Sequence, residues 1–288
     1  MKLSLIGISV LLILFGLSAC STKATTHLNS HDTDPIYAMA HAGDIKQLQK
    51  LIKTGASVNI PSKGWSALSA AAFIGRLDIV KLLVENGADI HYKDDQGLSA
   101  LSAALQKNRL DIVTYLLDHG VDKDELLFRN ATAITAAVAF NNLTAIKLLV
   151  SRGADVNRHA KGGGIGLYTA IALGEDRLEI FKYLVAHGAD INMKDYSGMT
   201  PLMAAAKFKN IKAMRILFKA GAKIDSEDHR GYTALTHAVV ANSLFAAHYL
   251  LEQGADKKVL DKRGNSLLSL ARKSQNFVML KLIGQEHY

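Results

Sequence analysis

Two landmarks recur along this chain with one shared period, and that recurrence limits the possible folds more than any other feature. A glycine followed by Ala, or once by Val, stands at Gly55, Gly87, Gly120, Gly153, Gly188, Gly221 and Gly254, with spacings of 32, 33, 33, 35, 33 and 33. About twenty residues upstream of most of these, Leu68, Leu101, Ile134, Leu167, Leu202, Leu235 and Leu268 follow at 33, 33, 33, 35, 33 and 33. Both series carry the same two-residue insertion. A period of this length marks stacked supersecondary units, none of which buries its apolar face alone. The chain is 49% apolar and 21% charged over 288 residues, too apolar for generic disorder.

Residues 198–222 show the grammar of one unit best. Gly198-Met199-Thr200-Pro201-Leu202 leads into Ala204-Ala205-Ala206, then Ile211, Ile216-Leu217 and Gly221-Ala222. Thr200 suits a helix N-cap, and Pro201 suits the first helical position, where a missing N–H costs nothing. The alanines let two helices approach closely. A second helix supplies branched and leucine side chains at helical spacing, and Gly221 closes it in the left-handed conformation. The polar stretch after it, through Lys223 and Asp225 to Gly231, suits a projecting hairpin loop.

These residues resemble the ankyrin-repeat family, whose units read D-x-x-G-x-T-P-L-H-x-A-A and end in L-L-x-x-G-A-D. The ending is met at residues 83–89 and 149–155, and the resemblance covers roughly residues 34 to 284 in about eight units. It implies an all-α solenoid of helix-turn-helix units, forming one domain over residues 34–288. The ends depart from the pattern. The first unit begins at Asp34-Pro35 without its hairpin, and the last replaces Gly-Ala-Asp with Gly284-Gln285-Glu286. The fifth has a glycine cluster at 162–166 and carries the insertion near Gly174-Glu175-Asp176.

Catalytic strings are weak beside this frame. Gly64-Trp65-Ser66, Gly97-Leu98-Ser99 and Gly264-Asn265-Ser266 start like a nucleophile elbow, yet none completes the final glycine. All three fall at the repeat position where Ser or Thr caps a helix, and capping is the expectation. The 162–166 cluster lacks the Lys-Ser/Thr ending of a phosphate loop. Eleven histidines include no H-E-x-x-H pattern. His41, His119 and His187 are expected at helix ends, and His237 as a structural hydrogen-bonder. Asp94-Asp95 and Asp122, Asp124 and Glu125 are not at calcium-loop spacing. No enzyme activity, cofactor or metal is expected. The charge of +8, from 34 basic and 26 acidic residues, is spread along the chain, so a strongly basic nucleic-acid binder is disfavoured.

What remains is surface, and the resemblance implies a protein partner held on the concave side by hairpin tips and the inner helices. Carried over through the landmarks, the binding positions are Trp65, Phe73 and Ile74 in the second unit and Leu98, Gln106 and Lys107 in the third. The fourth gives Phe128, Arg129 and Phe140, and the sixth gives Tyr196, Met199, Lys207 and Phe208. The seventh adds His229, Arg230 and Tyr232. Aromatics, Met and Arg are the residues enriched at interfaces. The competing expectation, strongest for Phe73, Phe140 and Phe208, is packing between neighbouring repeats. The Lys and Arg members point to an acidic partner surface.

The beginning of the chain carries a separate signal. Lys2 precedes an apolar run over residues 3–15, followed by Gly16-Leu17-Ser18-Ala19-Cys20, and Cys20 is the only cysteine. A positive start, a short apolar core and small residues make a secretory signal, and the run falls short of the roughly 20 apolar residues a spanning helix needs. Residues 17–20 resemble the lipobox of bacterial lipoproteins. The alternatives are a retained membrane helix or a plain secretory signal. The lipoprotein resemblance implies a removed peptide over 1–19, lipidation of Cys20 and a flexible tether over 20–33. With Ser21 rather than Asp after the cysteine, it implies placement on the periplasmic face of the outer membrane. Periplasmic ankyrin lipoproteins in turn resemble immunity proteins that neutralise secreted antibacterial phospholipase-type toxins. The alternative role is a resident envelope adaptor or stress-protection scaffold binding a periplasmic enzyme.

Overall fold

In the computed structural model the described residues are 34–284, apart from 63, 96, 128–130, 159–165 and 274. The expected signal peptide over 1–19, Cys20 and the expected tether, Phe128, Arg129 and most of the glycine cluster lie outside them. The chain divides into two compact units, residues 1–166 and 167–288.

Among the described residues the first unit holds four helical pairs: α1 (Pro35–Ala42) with α2 (Ile45–Lys53), α3 (Ala67–Ile74) with α4 (Leu77–Glu85), α5 (Ala100–Gln106) with α6 (Leu110–Asp118), and α7 (Ala133–Ala139) with α8 (Leu143–Ser151). The second holds four more: α9 (Gly166–Ala172) with α10 (Leu178–Ala186), α11 (Pro201–Lys207) with α12 (Ile211–Lys219), α13 (Ala234–Val240) with α14 (Leu244–Glu252), and α15 (Leu267–Lys273) with α16 (Phe277–Gly284). The two-residue insertion of the fifth repeat is absorbed as a 3-10 turn, Glu175–Arg177, ahead of α10.

Helices of seven to nine residues are too short to persist alone in water, so their stability comes from packing. The inner helix of each pair is the central one. Every residue of α7 is buried, as are Pro201 through Ala206 of α11. Small alanines on these helices allow close stacking, α1 on α3, α3 on α5 and α5 on α7 in the first unit, and α11 on α13 and α13 on α15 in the second. The outer helices bury one stripe only, Ile79, Val80 and Leu83 on α4 and Ala213, Met214 and Leu217 on α12. Each fully buried Leu or Ile contributes about 1.5–3 kcal/mol, repeated once per layer.

The caps form as the repeat grammar requires. The side chains of Ser66, Ser99, Thr132, Thr200 and Thr233 accept the N–H three residues on, and Ser266 does the same for Ser269. The three serines with elbow-like neighbours are therefore caps. Asp34 starts α1 in the same way, accepting from Tyr37 N–H, with Pro35 at the first position.

A second left-handed ladder escapes the sequence pattern. Between inner and outer helix the chain reverses at Gly43, Gly75, Asn108, Asn141, Gly174, Lys209, Asn242 and Gln275, all with positive φ. Lys209 and Gln275 accept a conformation that disfavours side chains because the two helices they join are fixed by packing.

Neighbouring hairpins are also stitched by polar ties one repeat long. Asn59, Asp124, Asn192 and Asp225 each accept the backbone N–H of a residue 30 or 31 positions on. On the opposite side, Asn142 donates to the Asn108 side chain at 2.7 Å and Asn276 donates to Asn242 at 2.6 Å. Hairpin turns bond directly as well: His229 N–H reaches Ser197 O at 2.8 Å and Lys262 N–H reaches Arg230 O at 2.9 Å.

The turn contacts make a graded prediction. A Cβ at Gly221 would meet nothing within 4 Å, so Gly221→Ala bears only the strain of φ +89°. That should cost about 1 kcal/mol. A Cβ at Gly198 would lie 2.9 Å from the His229 backbone nitrogen, which must then move and release Ser197 O. Denaturant titration should show Gly198→Ala losing at least twice as much stability as Gly221→Ala. Equal losses would show that hairpin stitching adds nothing.

Candidate functional site

The hairpin turns and the ends of the inner helices place most of the sequence-predicted residues in two clusters, one in each unit. In the first unit, Trp65 precedes the Ser66 cap and Phe73 lies in the last turn of α3. Their rings meet edge to face at 5.4 Å, and the Lys107 ammonium stands 4.3 Å from the centre of the Phe73 ring. All three are half-buried, as are Ile74 and, at the end of α7, Phe140. An aromatic pair with a cation over it is a mixed apolar and charged surface of the sort that anchors a partner side chain.

The second cluster surrounds Asp228. Its Oδ1 accepts the backbone N–H groups of Arg230 at 2.8 Å and Tyr232 at 2.9 Å, which shapes the turn. Its Oδ2 accepts His237 Nε2–H at 3.1 Å and an Arg230 guanidinium N–H at 3.3 Å. The Arg230 guanidinium lies over the Tyr232 ring at 4.2 Å, and Tyr232 meets the His237 ring edge to face at 5.6 Å. Asp228 and His237 are almost wholly enclosed, whereas Arg230 and His229 are exposed and Tyr232 is half-buried. Lys207 and Phe208, both half-buried, end α11 one repeat earlier, and Tyr196 is exposed on the preceding turn.

Two residues expected on this surface are not on it. Leu98 is 8% exposed and Met199 only 3%. Both occupy the position before a helix cap, where an apolar side chain folds against the helix it introduces. Trp65 and Tyr232 share that position but are larger, and they stay half-buried. Phe73, Phe140 and Phe208 are not enclosed between repeats. The Met199 backbone is fixed from both sides: its N–H goes to Asp195 Oδ1, and its carbonyl accepts the hydroxyl of buried Tyr168.

Several other histidines and acids have structural partners. His119 and His187 each bond the carbonyl four residues back at 2.8 Å and stack on Tyr115 and Tyr183 at 3.8 Å. Asp94 Oδ1 accepts Leu98 N–H, and Glu125 pairs with Lys93 at 2.9 Å. Among the described residues no group of three or more His, Cys, Asp or Glu is placed to hold a metal ion. No described helix is long and apolar enough to cross a membrane. The pairing of His237 with Asp228 escaped sequence reasoning about the partner, because a turn and a helix nine residues apart bring them together. The only signal was His237 itself, where the other inner helices mostly carry alanine.

Burial holds the His237 imidazole below its usual pKa, against the opposing pull of the Asp228 hydrogen bond and charge. Burial alone would raise the Asp228 carboxyl. The His237 hydrogen bond and the Tyr232 and Arg230 N–H groups reverse this and hold it well below the carboxylate range. A neutral imidazole therefore donates to an ionised carboxylate at neutral pH. Both shifts are downward, so both stabilising contributions fade on acidification: His237 as pH drops below its unfolded value of 6.5, Asp228 below 3.8. Amide exchange over residues 233–240, corrected for intrinsic rates, should accelerate between pH 7 and pH 5. His237→Gln, which keeps a donor but does not titrate, should flatten that dependence.

Comparison with known proteins agrees with this architecture. The sequence model described as "Ankyrin repeats (3 copies)" matches residues 8–94, 90–160 and 167–261. The ankyrin repeat domain of human ASB11 superposes with a TM-score of 0.65 at 23% identity, over 77% of this chain and 99% of that one. That of Bcl-3 gives 0.66 at 22%, over 76% and 97%. Among curated proteins, mouse protein phosphatase 1 regulatory subunit 12A is 45% identical over 60 residues, 21% of this chain and 6% of that protein. Human protein phosphatase 1 regulatory subunit 27 is 42% identical over 57 residues, 19% of this chain and 37% of that protein. Mouse 2-5A-dependent ribonuclease is 35% identical over 68 residues, 23% and 9%. The alignments thus span well under half the length of these curated relatives. Ankyrin repeats mediate protein–protein binding, and with the family pattern matched along most of its length this chain belongs to the ankyrin-repeat family.

Proposed function

We propose that this chain is a lipid-tethered protein-binding module on the periplasmic face of a bacterial outer membrane, and that it neutralises a secreted antibacterial toxin of the phospholipase type. The observation that carries the binding part is the pair of aromatic and cationic clusters on the hairpin side, Trp65, Phe73 and Lys107 in one unit and Arg230, Tyr232 and Lys207 in the other. Each cluster sets a charged head beside an aromatic ring, Lys107 at 4.3 Å from Phe73 and Arg230 at 4.2 Å from Tyr232. The tether rests on Cys20, the sole cysteine, directly after Leu17-Ser18-Ala19. Acylation there would supply more than one buried chain at ~0.8 kcal/mol per methylene, enough for stable anchoring. A partner held at the membrane surface is held where a lipid-cleaving toxin acts, so covering its entrance suffices to block it.

The rival role is a resident adaptor that holds a periplasmic enzyme without blocking it. It draws on the phosphatase regulatory subunits among the similar proteins. The two separate on the partner. A lipase encoded beside this chain should lose activity on mixing with it, and unchanged lipase activity in the complex would favour the adaptor.

Trp65→Ala and Tyr232→Ala together should weaken capture of the partner by more than tenfold, as hot-spot truncations do, with helical circular dichroism unchanged. Cys20→Ser should release the protein from the outer membrane fraction. Retention of both capture and membrane association in these variants would refute the two halves of the reading.

A further inference from the structure

In the second unit Asp195, Asp228 and Asp261 each close their own hairpin turn, while basic side chains on the same turns are exposed, alongside the exposed acids Asp225, Glu227 and Asp256 further back on the hairpins. Asp195 accepts from the N–H groups of Ser197 and Met199 and from the Ser197 hydroxyl. Asp228 accepts from two backbone N–H groups, His237 and Arg230. Asp261 accepts from Arg263 and Asn265 N–H and from the Asn265 amide. Each carboxylate is thus largely engaged in closing its own turn, Asp228 also pairing with the Arg230 guanidinium. The turns present His229, Arg230, Lys262 and Arg263, all exposed, and the Lys262 N–H bond to Arg230 O holds two of these tips side by side.

Lys207 is the unusual member. It is half-buried at the end of α11, and its ammonium forms no hydrogen bond or ion pair with a described residue; the Phe208 ring centre lies 5.9 Å away. Burial lowers its pKa, and the charge of Arg230 lowers it further, against the weaker pull of Asp195 and Asp228. An anion placed between the two cations would favour the charged ammonium, offsetting both its burial and the neighbouring Arg230. Arg230 has one N–H engaged with Asp228, which leaves most of its five donors for a ligand. Tyr232 beneath it fixes the plane of the guanidinium.

We propose that this strip binds an extended acidic segment of the protein partner, with one carboxylate between Lys207 and Arg230 and a second on the Lys262–Arg263 turn. The inference rests on the protein-binding reading and names the chemistry that the second unit recognises. Neighbouring helical layers lie about 8–10 Å apart, and an extended chain rises about 3.3 Å per residue. Acidic residues three apart in the partner therefore match successive turns. His237 and Asp228 act as positioning residues: they hold the turn that carries Arg230 and do not touch the ligand. A nucleic-acid strand is the less suitable occupant, because its phosphates are evenly spaced whereas the cations here are gathered on two turns.

The test uses the full chain and a fluorescein-labelled peptide, (Glu-Gly-Ser)4, with (Gln-Gly-Ser)4 and a ten-residue oligothymidylate as comparisons. Anisotropy titration should show saturable, salt-sensitive binding of the glutamate peptide alone. Lys207→Met, which keeps the apolar stem and leaves the turn bonds intact, should weaken it by about tenfold, the loss expected for one charge-assisted bond. Lys207→Met with Arg230→Met should abolish it. Lys219→Met with Lys223→Met, the same charge change on exposed lysines outside the strip, should leave it unchanged. Equal weakening in both double variants, or tighter binding of the oligothymidylate, would overturn the proposal. A native protein partner retained by the Lys207 and Arg230 variants at full affinity would also overturn it, while leaving protein capture intact.

Discussion

No helical pair in this chain can bury its apolar side without a neighbour, and the rest of the structure follows from that constraint. The inner helices are seven or eight residues long and rich in alanine, so they are stable only when another inner helix lies against them. Because the layers must be close, alanines fill the contacts where inner helices stack, and the charged side chains gather on the hairpin turns, the helix ends and the outer helices. The surface available for recognition is thus a by-product of the packing rule that makes the core.

The same rule explains how the binding surface stays rigid on such short elements. The turns at Asp195, Asp228 and Asp261 are each held from inside by an aspartate that accepts backbone N–H groups, and they are tied to one another by His229 N–H to Ser197 O and Lys262 N–H to Arg230 O. Outer-helix starts are tied by Asn142 to Asn108 and Asn276 to Asn242. Side chains such as Arg230 and Tyr232 therefore project from fixed backbone, and little ordering entropy remains to be lost when a partner docks.

The helical grammar was legible because its landmarks are chemical necessities. A cap needs Ser or Thr, a left-handed helix end needs glycine, and close layers need alanine; Thr200, Gly221 and Ala204 to Ala206 each carry one such requirement. Legibility failed where the same position tolerates different outcomes. Leu98, Met199, Trp65 and Tyr232 all precede a cap, and only side-chain size decides which are enclosed. The left-handed turns at Lys209 and Gln275 were invisible because neither residue favours that conformation; the flanking helices impose it. The Asp228–His237 pair was hidden for a related reason, since an aspartate needed for a turn reads the same whether or not its second oxygen has a partner.

The central claim is that the hairpin side of these layers is a gripping surface and the outer helices are not. Hydrogen–deuterium exchange of the chain with and without its bound protein partner tests this most directly. Protection should appear in the turns that include Trp65, Arg230 and Tyr232 and at the ends of α3 and α11, with the outer helices α4 and α12 unchanged. Protection confined to the outer helices, with the turns exchanging as in the free chain, would contradict the account.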